Sequence, residues 1–387
     1  MNTPSGEARS SERAPRLHFE NLDSLRTIAF LGIFVHHGFH TESAAIREGL
    51  AFKAIERIKA PAGFGVPLFF VLSGFLITYL ILEEKRLSGR FGIRNFYVRR
   101  ILRIWPLYYA VLLFGFVVFP AVRAVLSLSA HSESANPWMY ALFLGNFDQI
   151  RHGLPYGVGL GVTWSLSVEE QFYVFWPLLL LLASGRRVVY GSVLAVLAAA
   201  VALKYLLHLP DTHTLVCMSY LGSGALLANA VQHRHRFLAW IEAVPSRLIA
   251  LAYLLGLVLL YTYPYLAYEH TYPLFVLFFG LYFAFVIYDQ ALNPHSPFKL
   301  RRLPLLESLG KYTYGFYLLH TICNFIVFRL FATRVATDLV PELPQALVLR
   351  PACSLLLTLA LGILSYHYFE KPFLSLKSRF SALDTSA

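Results

Sequence analysis

Residues 63–82 read GFGVPLFFVLSGFLITYLIL, twenty in a row without a charged side chain. Wound as an α-helix at about 1.5 Å per residue, they cover roughly 30 Å, the hydrocarbon thickness of a bilayer. Every backbone N–H and C=O then bonds within the segment, which a lipid surrounding demands. Nine other runs obey the same rule, at 22–40, 104–126, 164–183, 188–207, 213–231, 248–265, 272–292, 308–331 and 346–369. The expected fold is therefore an all-α polytopic membrane protein of about ten transmembrane helices. An eleventh apolar patch, from Trp138 to Phe147, is too short to cross and predicts a re-entrant or interfacial segment near 138–147.

Composition agrees. Of the 387 residues, 57% are apolar and 14% charged, against about 25% charged in soluble domains. Mean hydropathy is +0.56. These values, with only three cysteines, exclude a disordered chain and a disulfide scaffold and argue for one polytopic membrane unit. Cys217, Cys323 and Cys353 lie far apart in apolar runs, as small buried hydrophobes do. A net charge of +11 would suit nucleic acid only if it were gathered on a solvated face. It is not. With the N-terminus in the cytoplasm, the inner segments hold 21 Lys and Arg and the outer loops six. That bias follows the positive-inside rule and places both termini in the cytoplasm, with the lipid bilayer and not nucleic acid as partner.

Residues 1–16 are expected to form a disordered tail, 17–375 a single transmembrane domain and 376–387 a closing cytoplasmic tail. The first span follows basic residues as a signal peptide would, but no small-residue cleavage site follows His40, so it is expected to be retained. No internal repeat stands out, which weighs against a transporter of paired halves. No appended soluble domain is expected.

Several spans carry polar groups. Asp23, Arg26, His37 and His40 share one face of the first helix. Arg26 and His37 are eleven residues apart, three turns, so they project within about 20° of each other at a separation of ~16.5 Å. Ionisable groups at such depth usually face a cavity or a partner; the plainer alternatives are a snorkelling arginine and a histidine bonded between helices. No cysteine lies near His36, His37 and His40 in the sequence, and no metal is expected. Arg94, Arg99, Arg100 and Arg103 stand beside Tyr97 and Trp105. Arg100 and Arg103 form an Arg-x-x-Arg pair at the inner mouth of the third span, where guanidinium forks suit phosphate oxygens or simply anchor topology. Glu169 and Glu170 lie at a depth similar to His37 but point about 100° apart, so only one is expected to face it. Ser73, with Gly74, Gly63 and Gly65, thins the second span, for close helix approach or for a tunnel. Tyr314, Tyr317 and His320 recur along the ninth span as packing or as tunnel lining.

Six stretches together carry a resemblance: LDSLRTIAFLGIFVHHGFH at 22–40, GVPLFFVLSGFLIT at 65–78, FYVRRILRIWPLYY at 96–109, TWSLSVEEQFYVFWPL at 163–178, LGKYTYGFYLLH at 309–320 and YFEKPF at 368–373. In this order they resemble the acyltransferase family 3 membrane proteins. Thr313 departs from the serine common among relatives, but a hydroxyl remains. The resemblance implies an enzyme of a bacterial inner membrane. It would move an acyl group, commonly acetyl from acetyl-CoA, onto a hydroxyl of a carbohydrate or glycoconjugate. Acceptors among relatives include lipopolysaccharide, peptidoglycan and macrolides. It further implies His37 as general base, Glu169 or Glu170 as its orienting partner, and Arg26, Arg100 and Arg103 as the grip on CoA. Ser73, Tyr314, Tyr317 and His320 would line the tunnel or meet the acceptor. The rival readings are a carbohydrate or lipid transporter or flippase, and a non-catalytic membrane partner protein. Acceptor identity, acyl chain length, direct transfer or an acyl-enzyme, and oligomeric state are not legible.

Overall fold

A computed structural model describes residues 19, 21–125, 133–183, 185–233, 235–266, 272–331 and 341–380. The tail expected at 1–16, and the closing tail from 381 onward, lie outside the described residues. Among those described, helices dominate and no strand occurs. The principal ones are α1 (Leu22–Gly38), α2 (Leu50–Ala62), α3 (Gly65–Ser88), α4 (Ile93–Leu113), α5 (Trp164–Leu182), α6 (Arg186–Leu207), α7 (Thr214–Gln232), α8 (Ser246–Leu266), α9 (Tyr272–Ala291), α10 (Thr313–Phe331) and α11 (Arg350–Ser365). Helix α2 runs on into α3, α4 continues to Val125, and α11 is the middle of a rod from Glu342 to Phe380.

Eight helices among the described residues are long and apolar enough to cross a membrane. This is an integral, multi-pass membrane protein. The two expected spans outside that eight are α1 and α5. The reasons differ: α1, with Asp23, Arg26, His36 and His37, is only 17 residues long, whereas α5 carries Glu169, Glu170 and Gln171 in succession, which lowers its hydropathy. Both pack against neighbours, α1 on α2, α3 and α10, and α5 on α3 and α7. The patch at 138–147 forms two short helices, Pro137–Ala141 and Gly145–His152, the first capped by Asn136 accepting from the Trp138 N–H at 3.0 Å.

Burial separates the centre of the bundle from its rim. The apolar part of α7 is 72% buried, that of α6 22% and that of α8 17%. The rim helices expose Leu194, Leu206, Leu254 and Leu257, a surface that suits lipid and that water would penalise. At the centre α3 and α7 cross with their backbones in contact. A Cβ on Gly74 would collide with the Leu221 carbonyl, and one on Gly224 with the Val71 carbonyl. Between helices in lipid such close packing replaces the hydrophobic effect as the source of association. Gly74→Ala is accordingly expected to destabilise the folded protein by about 1–3 kcal/mol, as an overpacked core does. The loss would be read as a lower thermal midpoint in detergent.

Helix α4 starts at Ile93, eleven residues before the expected start at 104. Buried Phe96, Ile104 and Leu107 carry its apolar face through the basic stretch. Arg99, Arg100 and Arg103 consequently belong to the helix, on the side that faces α3, α5 and the C-terminal turn.

Candidate active site

Helices α1, α3, α4, α5 and α10 enclose a cavity of about 260 Å³. Along α3 its wall extends from Val66 to Glu84, eighteen residues, or about 27 Å of helix. Seven of the ten residues given a site role in the sequence line it: Arg26, Ser73, Arg100, Arg103, Glu169, Tyr314 and Tyr317. Glu170, His37 and His320 do not.

The Glu84 end is cationic. Arg26, Arg99, Arg100, Arg103 and Lys377 line the same cavity. Arg100 and Arg103 share a face because they are three residues apart on a helix. Arg26 is ion-paired with Asp23. Arg99 Nη2 lies 3.2 Å from Glu84 Oε2, and its Nη1 donates to the Phe380 carbonyl at 2.6 Å. The Arg100 guanidinium sits 5.8 Å from the ring centres of both Phe96 and Tyr173, and its Nε is buried without a hydrogen-bond partner. That unpaired N–H is a donor left for an anionic group, so these residues fit a phosphate-bearing ligand.

Midway, Glu169 Oε1 accepts from Ser73 Oγ at 3.1 Å and Oε2 from the Tyr173 hydroxyl at 2.7 Å. Tyr173 is four residues beyond Glu169, so a helical turn aligns them. Ser73 faces the cavity while its neighbour Gly74 meets α7, so the thin point of α3 serves both purposes. Glu170, turned about a quarter of the way round the helix, accepts from Trp105 Nε1 at 3.3 Å, and its Oε1 is buried without a partner.

Tyr317 closes the far end. Its hydroxyl donates to the Val162 carbonyl at 2.8 Å and lies 2.6 Å from Ser165 Oγ. The Phe69 ring stands 6.3 Å from the Tyr317 ring, centre to centre. One turn further along α10 is His320, fully buried, with Nδ1 2.6 Å from the Tyr317 carbonyl and Nε2 3.1 Å from His37 Nδ1. The carbonyl only accepts, so His320 Nδ1 must carry the proton, and neutral His320 presents a lone pair at Nε2. His37 then donates through Nδ1–H, and its own Nε2 holds the free lone pair. This tautomer assignment follows from the hydrogen-bond chain. His37 is otherwise exposed, and its carbonyl accepts from Asn324 Nδ2 at 3.2 Å.

The hydrogen-bond partners differ from those expected. His37 is hydrogen-bonded to His320, and neither Glu169 nor Glu170 is bonded to it. His36 turns away to the Lys59 carbonyl at 2.8 Å, and His40 packs on Phe328. Among the described residues no group of three His, Cys, Asp or Glu is placed to hold a metal. Thr313 Oγ1 donates to the Gly310 carbonyl at 2.7 Å and Tyr314 to that of Ile104. Four polar cavity residues carry no role in the sequence reading: Glu84, Ser165, Tyr173 and Lys377. Only Tyr173 had a local signal, its four-residue spacing from Glu169.

The sequence model of the acyltransferase domain family matches residues 19–367. A Staphylococcus aureus protein provisionally named an O-acetyltransferase is 32% identical over 174 residues, 42% of this chain and 25% of that protein. A Bacillus subtilis protein provisionally named a peptidoglycan O-acetyltransferase is 32% identical over 203 residues, 49% of this chain and 28% of its own length. The peptidoglycan O-acetyltransferase OatA of Listeria monocytogenes is 30% identical over 177 residues, 44% of this chain and 25% of that protein. The chain therefore spans about a quarter of the length of the curated relatives it matches. No solved structure matches it.

Proposed function

The chain belongs to the acyltransferase family whose model its residues 19–367 match, and on that premise we propose that it is a membrane O-acyltransferase. It moves an acyl group, acetyl in the simplest case, from a CoA thioester to a hydroxyl of a carbohydrate or glycoconjugate. One observation carries the reading: a single cavity runs from a cluster of basic side chains to within one helical turn of a histidine pair, of which His37 is an exposed residue.

In this reading Arg26, Arg100 and Arg103 hold the CoA phosphates at the Glu84 end. The excess of Lys and Arg on the inner segments supports placing that end at the cytoplasm. An extended pantetheine arm has a length comparable with the ~16.5 Å of helix rise between Arg26 and His37. It would pass Glu169, whose carboxylate can accept from an arm amide N–H. Movement of Tyr317 and Phe69 would admit the thioester to the histidines.

His37 Nε2 then takes the proton of the acceptor hydroxyl as its oxygen attacks the thioester carbon. The C–S bond of the tetrahedral intermediate breaks, and the departing sulfur takes the proton from His37. An ester and free CoA thiol result. His320 accepts from His37 Nδ1–H throughout, which fixes the ring and supports the transient imidazolium. The peptidoglycan O-acetyltransferases among the relatives support testing that polymer first as acceptor.

Purified protein incubated with labelled acetyl-CoA and muropeptides or other glycans tests this. Transfer to the glycan is expected, and Arg103→Gln is expected to raise the KM for acetyl-CoA about tenfold or more, as loss of one charge-assisted contact does. CoA-independent movement of a glycan across vesicles, without ester formation, would refute it.

A further inference from the structure

We propose that Lys377, on the helical turn Leu376–Phe380, is part of the binding site for the donor's phosphate groups. The inference rests on the donor reading above and extends it to the far end of the chain.

The turn is held in place by the site itself. Arg99 reaches from α4 to the Phe380 carbonyl with one nitrogen and to Glu84 with another. Its side chain is 12% exposed and that of Glu84 6%, so the tie is sheltered. Lys377 thereby joins the wall of the cavity that Arg26, Arg100 and Arg103 line, although more than 270 residues separate it from them in sequence.

Charge in the cavity is uncompensated. Five basic side chains and two carboxylates, Glu84 and Glu169, line it. Arg99 is paired with Glu84 and Arg26 with Asp23. Glu169 accepts from Ser73 and Tyr173. Arg100, Arg103 and Lys377 are left without an ion pair among the described residues. Three cations at close quarters repel, and removal from water strengthens the repulsion. An anion with several oxygens reverses the sign of that interaction. A phosphomonoester carries about −1.5 to −2 charges at neutral pH, and the lysine ammonium, a compact charge with three donors, accommodates it without the planar geometry a guanidinium needs. An anchor lysine on a closing tail would extend to solvent or to lipid headgroups; Lys377 turns inward instead, while Arg379 on the same turn is exposed.

The test measures binding of CoA and of 3′-dephospho-CoA to the purified full chain in detergent, with the thermal midpoint recorded for each variant. Lys377→Gln is expected to weaken CoA binding about tenfold or more, with Lys377→Arg close to wild type and Arg379→Gln unchanged. Lys377→Met, which keeps the length of the stem, serves as a second neutral variant should Lys377→Gln alter the midpoint. A loss confined to CoA assigns Lys377 to the 3′-phosphate; an equal loss with both nucleotides assigns it to the pyrophosphate. Unchanged affinity for both in the folded neutral variants overturns the inference. Wild-type protein that binds neither nucleotide overturns the donor reading, and the inference with it.

Discussion

His37→Ala is expected to lower the rate of acyl transfer by about 10²–10⁴-fold, the contribution of a positioned general base, while leaving CoA affinity at the wild-type value. The separation of the two effects follows from the structure. His37 does not line the cavity that holds the basic cluster, and α1 places it about three turns from Arg26. Its ring is hydrogen-bonded to His320 and its carbonyl to Asn324, so truncation removes the proposed base and one link between α1 and α10 and leaves the cationic end intact. Single-turnover transfer and CoA binding, measured on the same preparation, check both halves. A folded His37→Ala protein with full transfer would remove the base assignment.

The second large effect is expected at His320, a positioning residue one step from the chemistry. His320 ties His37 Nδ1–H to the Tyr317 carbonyl through its two ring nitrogens. Without it His37 is free to rotate or to shift its proton to Nε2, and a base protonated on the wrong nitrogen cannot accept. His320→Ala is expected to reduce kcat about 10²-fold, the lower end of a base's contribution, with KM for acetyl-CoA little changed. Glutamine carries an amide N–H for the carbonyl and an amide oxygen for the His37 proton, so His320→Gln should recover part of the loss. A purely structural role would show as reduced stability with no difference between alanine and glutamine. Steady-state kinetics on the two variants distinguish the cases.

The helices were legible because a lipid-facing backbone must satisfy itself locally, and runs such as 188–207 and 248–265 announce that in twenty residues. Boundaries were less so at α4, where arginines interrupt the apolar run but point into a cavity, so hydropathy ends the helix where the chain does not. The two helices with the most polar faces, α1 and α5, are the ones that fall short as free-standing spans, and both bring ionisable residues toward the site. The arginine–histidine spacing on α1 and the Arg-x-x-Arg pair could be read because a single helix sets them. The choice between Glu169 and Glu170 could not, since it depends on which side of α5 meets α3. The sequence offers His320 as packing, as tunnel lining or as a contact to the acceptor, and not as a partner of His37. Its pairing with His37 joins residues 283 positions apart, and no local pattern encodes it. Lys377 is a similar case: its turn reaches the cavity because Arg99 binds the Phe380 carbonyl, a contact between opposite parts of the chain.

The donor and acceptor ends are therefore proposed to lie on opposite faces of one membrane, joined by the cavity. Inside-out vesicles containing the protein and an enclosed glycan acceptor test that directly, with radiolabelled acetyl-CoA supplied only outside. Labelled ester in the enclosed glycan, absent with His37→Ala, is the predicted result. Labelling that requires acetyl-CoA and acceptor on the same face would contradict it.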